Sequence, residues 1–231
     1  MIVAEATQVS QLPKLSDQES TKMPQGAIYS GKGAIFFGDL AFILELLDIS
    51  YEALDEGEIQ KGELNKFKLL MVPGGYTQEY MPALGEIGKE AIRNFVREGG
   101  AYIGICAGAY IAARKVEVPG KPGGLGLIEV QNIRKAGVGM RKIYLEKHPI
   151  TEGLGEELEI YYHNGPEIVA GSGVSGVAYY QNGRLAIVSS FFGKGKVVIF
   201  SPHPEGCISQ GIKPKPKALK LLQNCLKFCQ Y

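Results

Sequence analysis

Apolar strand-like runs and helix-forming segments alternate in the first half of the chain, and this alternation constrains the fold more than any other feature. The apolar runs are residues 27–30, 51–54, 67–72 and 101–105. The helix-forming segments, in which apolar residues recur every three or four positions or small residues dominate, are 36–47, 83–98 and 107–113. Strands that alternate with helices pair in parallel, because a crossover must bring the next strand into the same direction. The pattern predicts an α/β fold with a mostly parallel sheet and helices on both faces.

The second half has a different pattern, in which tight turns separate the strand-like runs. Runs at 175–180 and 185–192 flank an Asn-Gly turn, and a Gly-Lys-Gly turn separates the second run from 197–200. Turns of this composition between strands are typical of β-hairpins. We therefore expect β-hairpins in the second half, followed by a basic amphipathic helix over 215–228.

Length and composition indicate an ordinary globular protein. The chain has 231 residues, of which 45% are hydrophobic and 21% charged. We expect residues 1–26 to form an extension or a packed arm and residues 27–231 to form one domain. The 25 basic and 24 acidic residues give a formal charge of +1, which offers no electrostatic case for nucleic acid or an anionic membrane as a partner. No apolar run reaches the ~20 residues that span a bilayer.

The cysteines and histidines are too few for a disulfide scaffold or a metal centre. The four cysteines contain no Cys-x-x-Cys pair, and residues 1–25 lack the basic start and apolar stretch of a secretory signal. A cytoplasmic protein with reduced thiols is therefore expected. A three-histidine metal centre would need every histidine in the chain, and a site at Cys225 and Cys229 would lack further ligands. We expect no metal and no cofactor.

A glycine-flanked cysteine lies where an apolar strand runs into a helix. The segment Gly104-Ile105-Cys106-Ala107-Gly108 follows the Gly-x-nucleophile-x-Gly pattern, with cysteine as the nucleophile. The tight turn strains the backbone at its centre, and the glycines let neighbouring segments approach closely. The thiol projects beside the free N–H groups of the next helix, which favour a thiolate and a developing oxyanion. A buried structural cysteine is the alternative, but the flanking glycines favour catalysis.

A base and an orienting carboxylate lie together after another apolar run. His203 and Glu205 follow residues 197–200, with a proline before and after the histidine. Side chains two apart in an extended segment point to the same side, so the carboxylate can fix the imidazole tautomer. We predict that His203 is the general base for Cys106 and that Glu205 orients it. An α/β-hydrolase would instead carry an acid, usually aspartate, between nucleophile and histidine, and no aspartate follows Asp55.

The cysteine elbow and the Pro-His-Pro-Glu segment together resemble the class I glutamine amidotransferase superfamily. Its members carry a cysteine, histidine and glutamate triad on a flavodoxin-like sheet. The likeness is strongest to the family named after the amino-terminal domain of biotin–protein ligase and spans roughly residues 27–210. The matching segments are 72–76, 100–110, 164–166, 193–196 and 202–205.

The resemblance implies roles for residues around the triad. The backbone amides of Gly75 and Ala107 would form an oxyanion hole, and a small amide such as glutamine would react through a thioester. For His163, a structural place at a strand end is an equal alternative to a place in the pocket. The residues expected to bind substrate are Gly74, Tyr76, Tyr110, His163 and Asn164.

Several features depart from the amidotransferase pattern and leave alternatives open. Many amidotransferases have glutamine where this chain has Tyr110, and neither a synthetase domain nor the Gly-Arg-Gly-Arg signature of a biotin ligase is found. The intracellular-protease branch has histidine where this chain has Ala107. The alternatives are a non-catalytic binding or regulatory module and a redox sensor that uses Cys106 and Cys207. As protein partners, a separate acceptor subunit and a homo-oligomer both remain open.

Overall fold

A computed structural model of the protein describes residues 26–117 and 123–230. The strands are β1 (Gly26–Tyr29), β2 (Tyr51–Leu54), β3 (Leu69–Val72), β4 (Ala101–Ile105), β5 (Ala113–Glu117), β6 (Ile128–Arg134), β7 (Val138–Leu145), β8 (Glu157–His163), β9 (Pro166–Ala170), β10 (Ser175–Tyr180), β11 (Leu185–Phe192) and β12 (Gly195–Phe200). The α-helices are α1 (Phe37–Leu46), α2 (Glu56–Gln60), α3 (Thr77–Arg97), α4 (Ala107–Ala112) and α5 (Pro216–Gln230). The predicted extension over residues 1–26 lies outside the described residues, apart from Gly26 in β1. The single domain over 27–231 stays a prediction.

Strands β1 to β4 form a parallel sheet, as the alternating pattern predicts. β1 lies between β2 and β3, β4 joins β3, and β12 joins β4, all in parallel. Val72, Gly104 and Ile199 stand in register across β3, β4 and β12. The loops that follow these three strands therefore leave the same edge of the sheet side by side, although they are far apart in the sequence.

The second half extends the same sheet with antiparallel strands, which confirms the predicted hairpins. β10 pairs with β11 and β11 with β12, each antiparallel. The order along the sheet is β2-β1-β3-β4-β12-β11-β10-β7-β8, and β9, β6 and β5 branch from β11. The sequence patterns did not delimit β5 to β7. β7 shows almost no alternation of buried apolar and exposed polar residues, because Ile143 is its only buried residue.

Two hydrophobic clusters cover the two faces of the sheet, as predicted for helices on both sides. One contains the buried residues of α1 and α5, and the other contains those of α3 and α4. β4 alternates between them, because Ile103 and Ile105 belong to the first cluster and Tyr102 to the second. In the described ranges, no helix combines the length and apolarity needed to cross a membrane.

Helix α3 begins earlier than the predicted range of 83–98. It begins at Thr77 and is kinked at Gly85, which has φ 58° and ψ −175°. Gln60 Nε2 donates to the Leu84 carbonyl oxygen at 2.9 Å and so satisfies one acceptor at the kink. The predicted range starts directly after Pro82, a residue that usually ends or begins a helix but here lies inside one. This earlier start places additional side chains beside the loop after β3.

Candidate active site

Cys106 stands between β4 and α4 in a strained backbone conformation. It has φ 51° and ψ −100°, a positive φ that few non-glycine residues adopt, and its side chain is buried. A Cβ on Gly104 would lie 2.5 Å from the Gly108 carbonyl oxygen, and one on Gly108 would lie 2.1 Å from the Val72 carbonyl oxygen. The close approach attributed to the two glycines is therefore present.

His203 and Glu205 form a buried pair in the turn after β12. His203 Nδ1 lies 2.8 Å from Glu205 Oε1, and both side chains are fully buried. The prediction of an extended segment is wrong. Instead, Gly206 N donates to the His203 carbonyl oxygen at 3.2 Å and closes a turn with Pro204 at its second position, where the fixed proline φ is favourable. The carboxylate thus reaches the imidazole through a turn.

The charges around His203 favour its protonated form. Burial lowers the pKa of His203, but the Glu205 carboxylate, followed by the Cys106 sulfur, outweighs burial and raises that pKa to about 10. Because Nδ1 faces Glu205, Nε2 is the nitrogen left for proton exchange, and it has no hydrogen-bond partner among the described residues. A Cβ on Gly74 would lie 2.6 Å from His203 Cε1 and 3.4 Å from Cys106 Cβ. The fold thus gathers the three predicted catalytic residues.

The loop over residues 73–75 follows β3 and borders this group. Gly75 has φ 156°, and a Cβ there would lie 1.8 Å from the Gly33 carbonyl oxygen. Within the described ranges Gly75 N–H makes no hydrogen bond. Ala107 opens α4, where first-turn N–H groups lack acceptors inside the helix. Both amides predicted to form the oxyanion hole are therefore available to a ligand oxygen, and that role stays a prediction.

Two aromatic residues that the sequence patterns did not assign to the site hold this loop and cover the histidine. The Tyr80 hydroxyl lies 3.0 Å from the Pro73 carbonyl oxygen and 3.1 Å from that of Gly74. The Phe36 ring centroid lies 4.6 Å from that of His203. Helical side chains point back toward the helix N-terminus, so a tyrosine in the first turn of α3 reaches the preceding loop. An earlier predicted start of α3 would have indicated Tyr80.

His163 lies beside the catalytic group. Its carbonyl oxygen accepts a hydrogen bond from Cys106 Sγ at 3.3 Å, its ring centroid is 6.4 Å from that of His203, and its Nδ1 is 3.1 Å from the Tyr161 hydroxyl. Burial, followed by His203, lowers the pKa of His163. This position favours a place in the site over a purely structural strand end, and a substrate-binding role stays a prediction.

The other residues predicted to bind substrate differ in exposure. Tyr76 is 51% exposed, at the start of α3. Tyr110 is only 3% exposed, and its hydroxyl donates to the Asn164 carbonyl oxygen at 3.3 Å. Asn164 has φ 53°, and its side-chain oxygen accepts a hydrogen bond from Gly137 N at 2.8 Å. Tyr110 and Asn164 therefore shape the turn between β8 and β9, whereas Tyr76 faces solvent.

The remaining cysteines and His148 have structural surroundings. All four cysteines are free, Cys207 and Cys225 are buried, and Cys229 is half-buried. His148 lies in the turn before residues 149–151, where it is half-buried and its Nε2 lies 3.0 Å from Ser189 Oγ. In the part of the chain that the structure describes, no cluster of three or more histidine, cysteine or acidic residues could hold a metal ion.

Comparison with known proteins gives related sequences over most of the chain. The family model described as "Biotin-protein ligase, N terminal" matches residues 59–136. Subunit PdxT of pyridoxal 5'-phosphate synthase from Koribacter versatilis is 31% identical over 147 residues, which cover 62% of this chain and 71% of that protein. Subunit HisH of imidazole glycerol phosphate synthase from Wolinella succinogenes is 28% identical over 209 residues, which cover 84% of this chain and 95% of that protein.

A biotin–protein ligase and a solved structure extend the comparison. The ligase, from Schizosaccharomyces pombe, is 29% identical over 216 residues, which cover 77% of this chain but only 33% of the ligase. A crystal structure of a glutamine amidotransferase matches with a TM-score of 0.63 at 22% identity and covers 89% of this chain and 98% of that one, which shows a shared fold. The chain therefore belongs to the class I glutamine amidotransferase-like superfamily, in which it matches the family of the biotin–protein ligase amino-terminal domain.

Proposed function

We propose that the protein hydrolyses a small amide of the glutamine class through a thioester on Cys106. The observation that carries this proposal is a cysteine at positive φ next to the buried His203–Glu205 pair. A nucleophile with a base in reach, and a third group that orients the base, is the arrangement that nucleophilic catalysis requires. Relatives with amidotransferase-type functions support the same class of reaction.

The proposal assigns a residue to each step of the reaction. His203 Nε2 first takes the proton of the Cys106 thiol. The Cys106 thiolate attacks the amide carbon, a C–S bond forms, and the C=O π pair moves onto oxygen, which accepts hydrogen bonds from the N–H groups of Gly75 and Ala107. When the C–N bond breaks, His203 Nε2 gives its proton to the leaving nitrogen, and ammonia departs. Water then returns a proton to Nε2 while its oxygen attacks the thioester, which releases the carboxylic acid and the Cys106 sulfur.

A separate acceptor subunit is part of the proposal. The names of PdxT and HisH describe both as subunits of synthases. We propose that this chain delivers its ammonia to such a partner, and assembly of two copies of the chain is the alternative. The four free cysteines fit a reducing compartment, so the proposed location is the cytoplasm.

A binding module without turnover is the second candidate. It is favoured by Tyr110, which is buried and bonded to the Asn164 carbonyl oxygen at the position where many amidotransferases carry a substrate-binding glutamine. Such a module would bind a small amide in the same site and release no ammonia.

Ammonia release from a panel of primary amides that includes glutamine distinguishes the two functions. We expect the wild type to release ammonia, Cys106→Ala to release none, and His203→Gln to lose about 10²- to 10⁴-fold in kcat. Calorimetric binding of an amide without ammonia release by the wild type would establish the binding module. Ammonia release by Cys106→Ala at the wild-type rate would contradict the proposal that Cys106 is the nucleophile.

A further inference from the structure

We propose that Tyr80 is a positioning residue whose hydroxyl fixes the direction of the Gly75 N–H in the active-site loop. The proposal rests on the amide hydrolysis proposed above and adds a residue outside the triad and the two amide donors. It concerns residues 73–75, which follow β3, and the first turn of α3.

The hydroxyl of Tyr80 is committed to the backbone of this loop. Tyr80 is completely buried, and its oxygen is within hydrogen-bond distance of the carbonyl oxygens of Pro73 and Gly74. The Gly74 oxygen also accepts a hydrogen bond from Phe36 N at 3.1 Å. The Tyr80 hydroxyl, whose one proton is shared between the Pro73 and Gly74 oxygens, and Phe36 N–H therefore both restrain the Gly74 carbonyl group.

Holding this carbonyl group also sets the direction of an amide. In a planar trans peptide the C=O and the following N–H point in opposite directions, so anchoring the Gly74 oxygen directs the Gly75 N–H to the other side of the peptide plane. Both residues of this peptide are glycines, whose backbone rotates more freely than that of other residues. The hydroxyl of Tyr80 therefore restricts a peptide plane that the glycines leave mobile.

The ring of Tyr80 is itself fixed, so the hydroxyl is a rigid reference point. Its centroid lies 5.0 Å from that of Tyr29 in an edge-to-face arrangement, and a Cβ on Gly33 would lie 2.7 Å from Tyr80 Cδ1. Burying a hydroxyl is unfavourable unless it is hydrogen-bonded, and phenylalanine would fill the same space without that cost. Burial also raises the pKa of Tyr80, so the phenol stays protonated and remains a donor.

The substitution Tyr80→Phe tests the proposal because it removes only the hydroxyl. Removing an oxyanion donor outright costs about 10²- to 10³-fold in kcat, so we expect a loss of about 10- to 100-fold for a donor that remains but is misdirected. The KM should change less than about twofold, because the hydroxyl does not touch the substrate. Alkylation of Cys106 by iodoacetamide, which forms no oxyanion, should keep its wild-type rate.

The matched control is Thr151→Val in the turn that precedes β8. The buried Thr151 hydroxyl also lies within hydrogen-bond distance of two loop carbonyl oxygens, those of Glu146 and His148. This variant should lose stability and keep the wild-type kcat. An unchanged kcat in Tyr80→Phe would overturn the proposal, and so would an equal loss of kcat and of alkylation rate, because both outcomes deny a specific role in oxyanion binding.

Binding of succinic semialdehyde provides a second measurement that needs no turnover. The Cys106 sulfur adds to the aldehyde carbon, a C–S bond forms, and the π pair moves to an oxygen that occupies the oxyanion position. A crystal structure of this wild-type adduct should show that oxygen bonded to Gly75 N, with the Tyr80 hydroxyl still on the Pro73–Gly74 carbonyl oxygens. An oxygen bonded elsewhere would refute the role of Tyr80 even if Tyr80→Phe does not fold. Absence of wild-type ammonia release would instead refute the hydrolase proposal and leave this measurement valid.

Discussion

At the scale of single residues, Gly74 shows why a position without a side chain shapes the site. Three groups converge on the place that its Cβ would occupy: His203 Cε1 at 2.6 Å, Phe36 Cδ2 at 3.0 Å and Cys106 Cβ at 3.4 Å. The residue was predicted to contact substrate. The structure adds a steric reason for glycine, since a methyl group would push the imidazole away from the nucleophile.

We expect Gly74→Ala to reduce kcat by about 100-fold, because displacing a reacting group by about 1 Å has an effect of that size. Overpacking should also lower the free energy of unfolding by about 1–3 kcal/mol. Gly38→Ala in α1 is the control, because its Cβ meets no atom within 4 Å. It should keep full activity and gain about 0.5–1 kcal/mol from helix propensity. A Gly74→Ala variant with wild-type kcat would show that the imidazole can adjust.

At the scale of elements, tyrosine hydroxyls attach the loops of the site to the sheet and its helices. Tyr80 holds the loop after β3, Tyr102 of β4 donates to the Gly108 carbonyl oxygen at 2.8 Å, and Tyr162 of β8 donates to that of Gly165 at 2.8 Å. Tyr110 of α4 does the same for the turn between β8 and β9. Each of these four carbonyl groups thus receives a donor from a buried tyrosine, which restrains the backbone around the site.

The turn between β8 and β9 depends on Asn164. Its φ of 53° is one that asparagine tolerates better than alanine, and its backbone N and side-chain oxygen both bond to Gly137 at 2.8 Å. We expect Asn164→Ala to lower the free energy of unfolding by about 1–2 kcal/mol, since it loses a hydrogen bond and adds strain. Asn164→Gly should lose less, because glycine adopts this φ freely. Urea denaturation measures both, and equal stability of alanine variant and wild type would contradict this account.

At the scale of the whole molecule, the edge of the parallel sheet explains which parts of the site the sequence could predict. The alternating pattern predicts that the parallel strands β3 and β4 end at one edge, and the motifs place Cys106 after β4 and the His203–Glu205 pair after a further apolar run, which is β12. The sequence patterns assign that run to a hairpin and do not predict its parallel pairing with β4. Tyr80 and Phe36 were not predicted, because their roles arise from contacts between distant segments and because the first turn of α3 lies before Pro82, where the predicted helix range begins. Local patterns predict the strands and helices of the parallel sheet, whereas the order of the strands and the supporting residues depend on packing between distant parts of the chain.

The buried His203–Glu205 pair makes the stability of the molecule depend on pH. Because the folded pKa of His203, about 10, lies above its unfolded value, the pair stabilises the fold fully below about pH 6.5, and this contribution is lost as the pH rises through about 10. The wild type should therefore lose stability between these values more steeply than Glu205→Gln, whose histidine lacks the neighbouring carboxylate. The free energy of unfolding of both proteins is measured by chemical denaturation at a series of pH values. If it fell equally steeply in the wild type and in Glu205→Gln, the pair would not stabilise the imidazolium.

The central claim is that Cys106 carries the acyl group of an amide during turnover. Its most direct test is to mix the protein with glutamine and the other primary amides, quench in acid, and locate any added acyl group by peptide mass spectrometry. We predict one acyl group on the peptide that contains Cys106 in the wild type, and none in Cys106→Ala. Ammonia release with no acyl group on Cys106, or with the acyl group on another residue, would contradict the account.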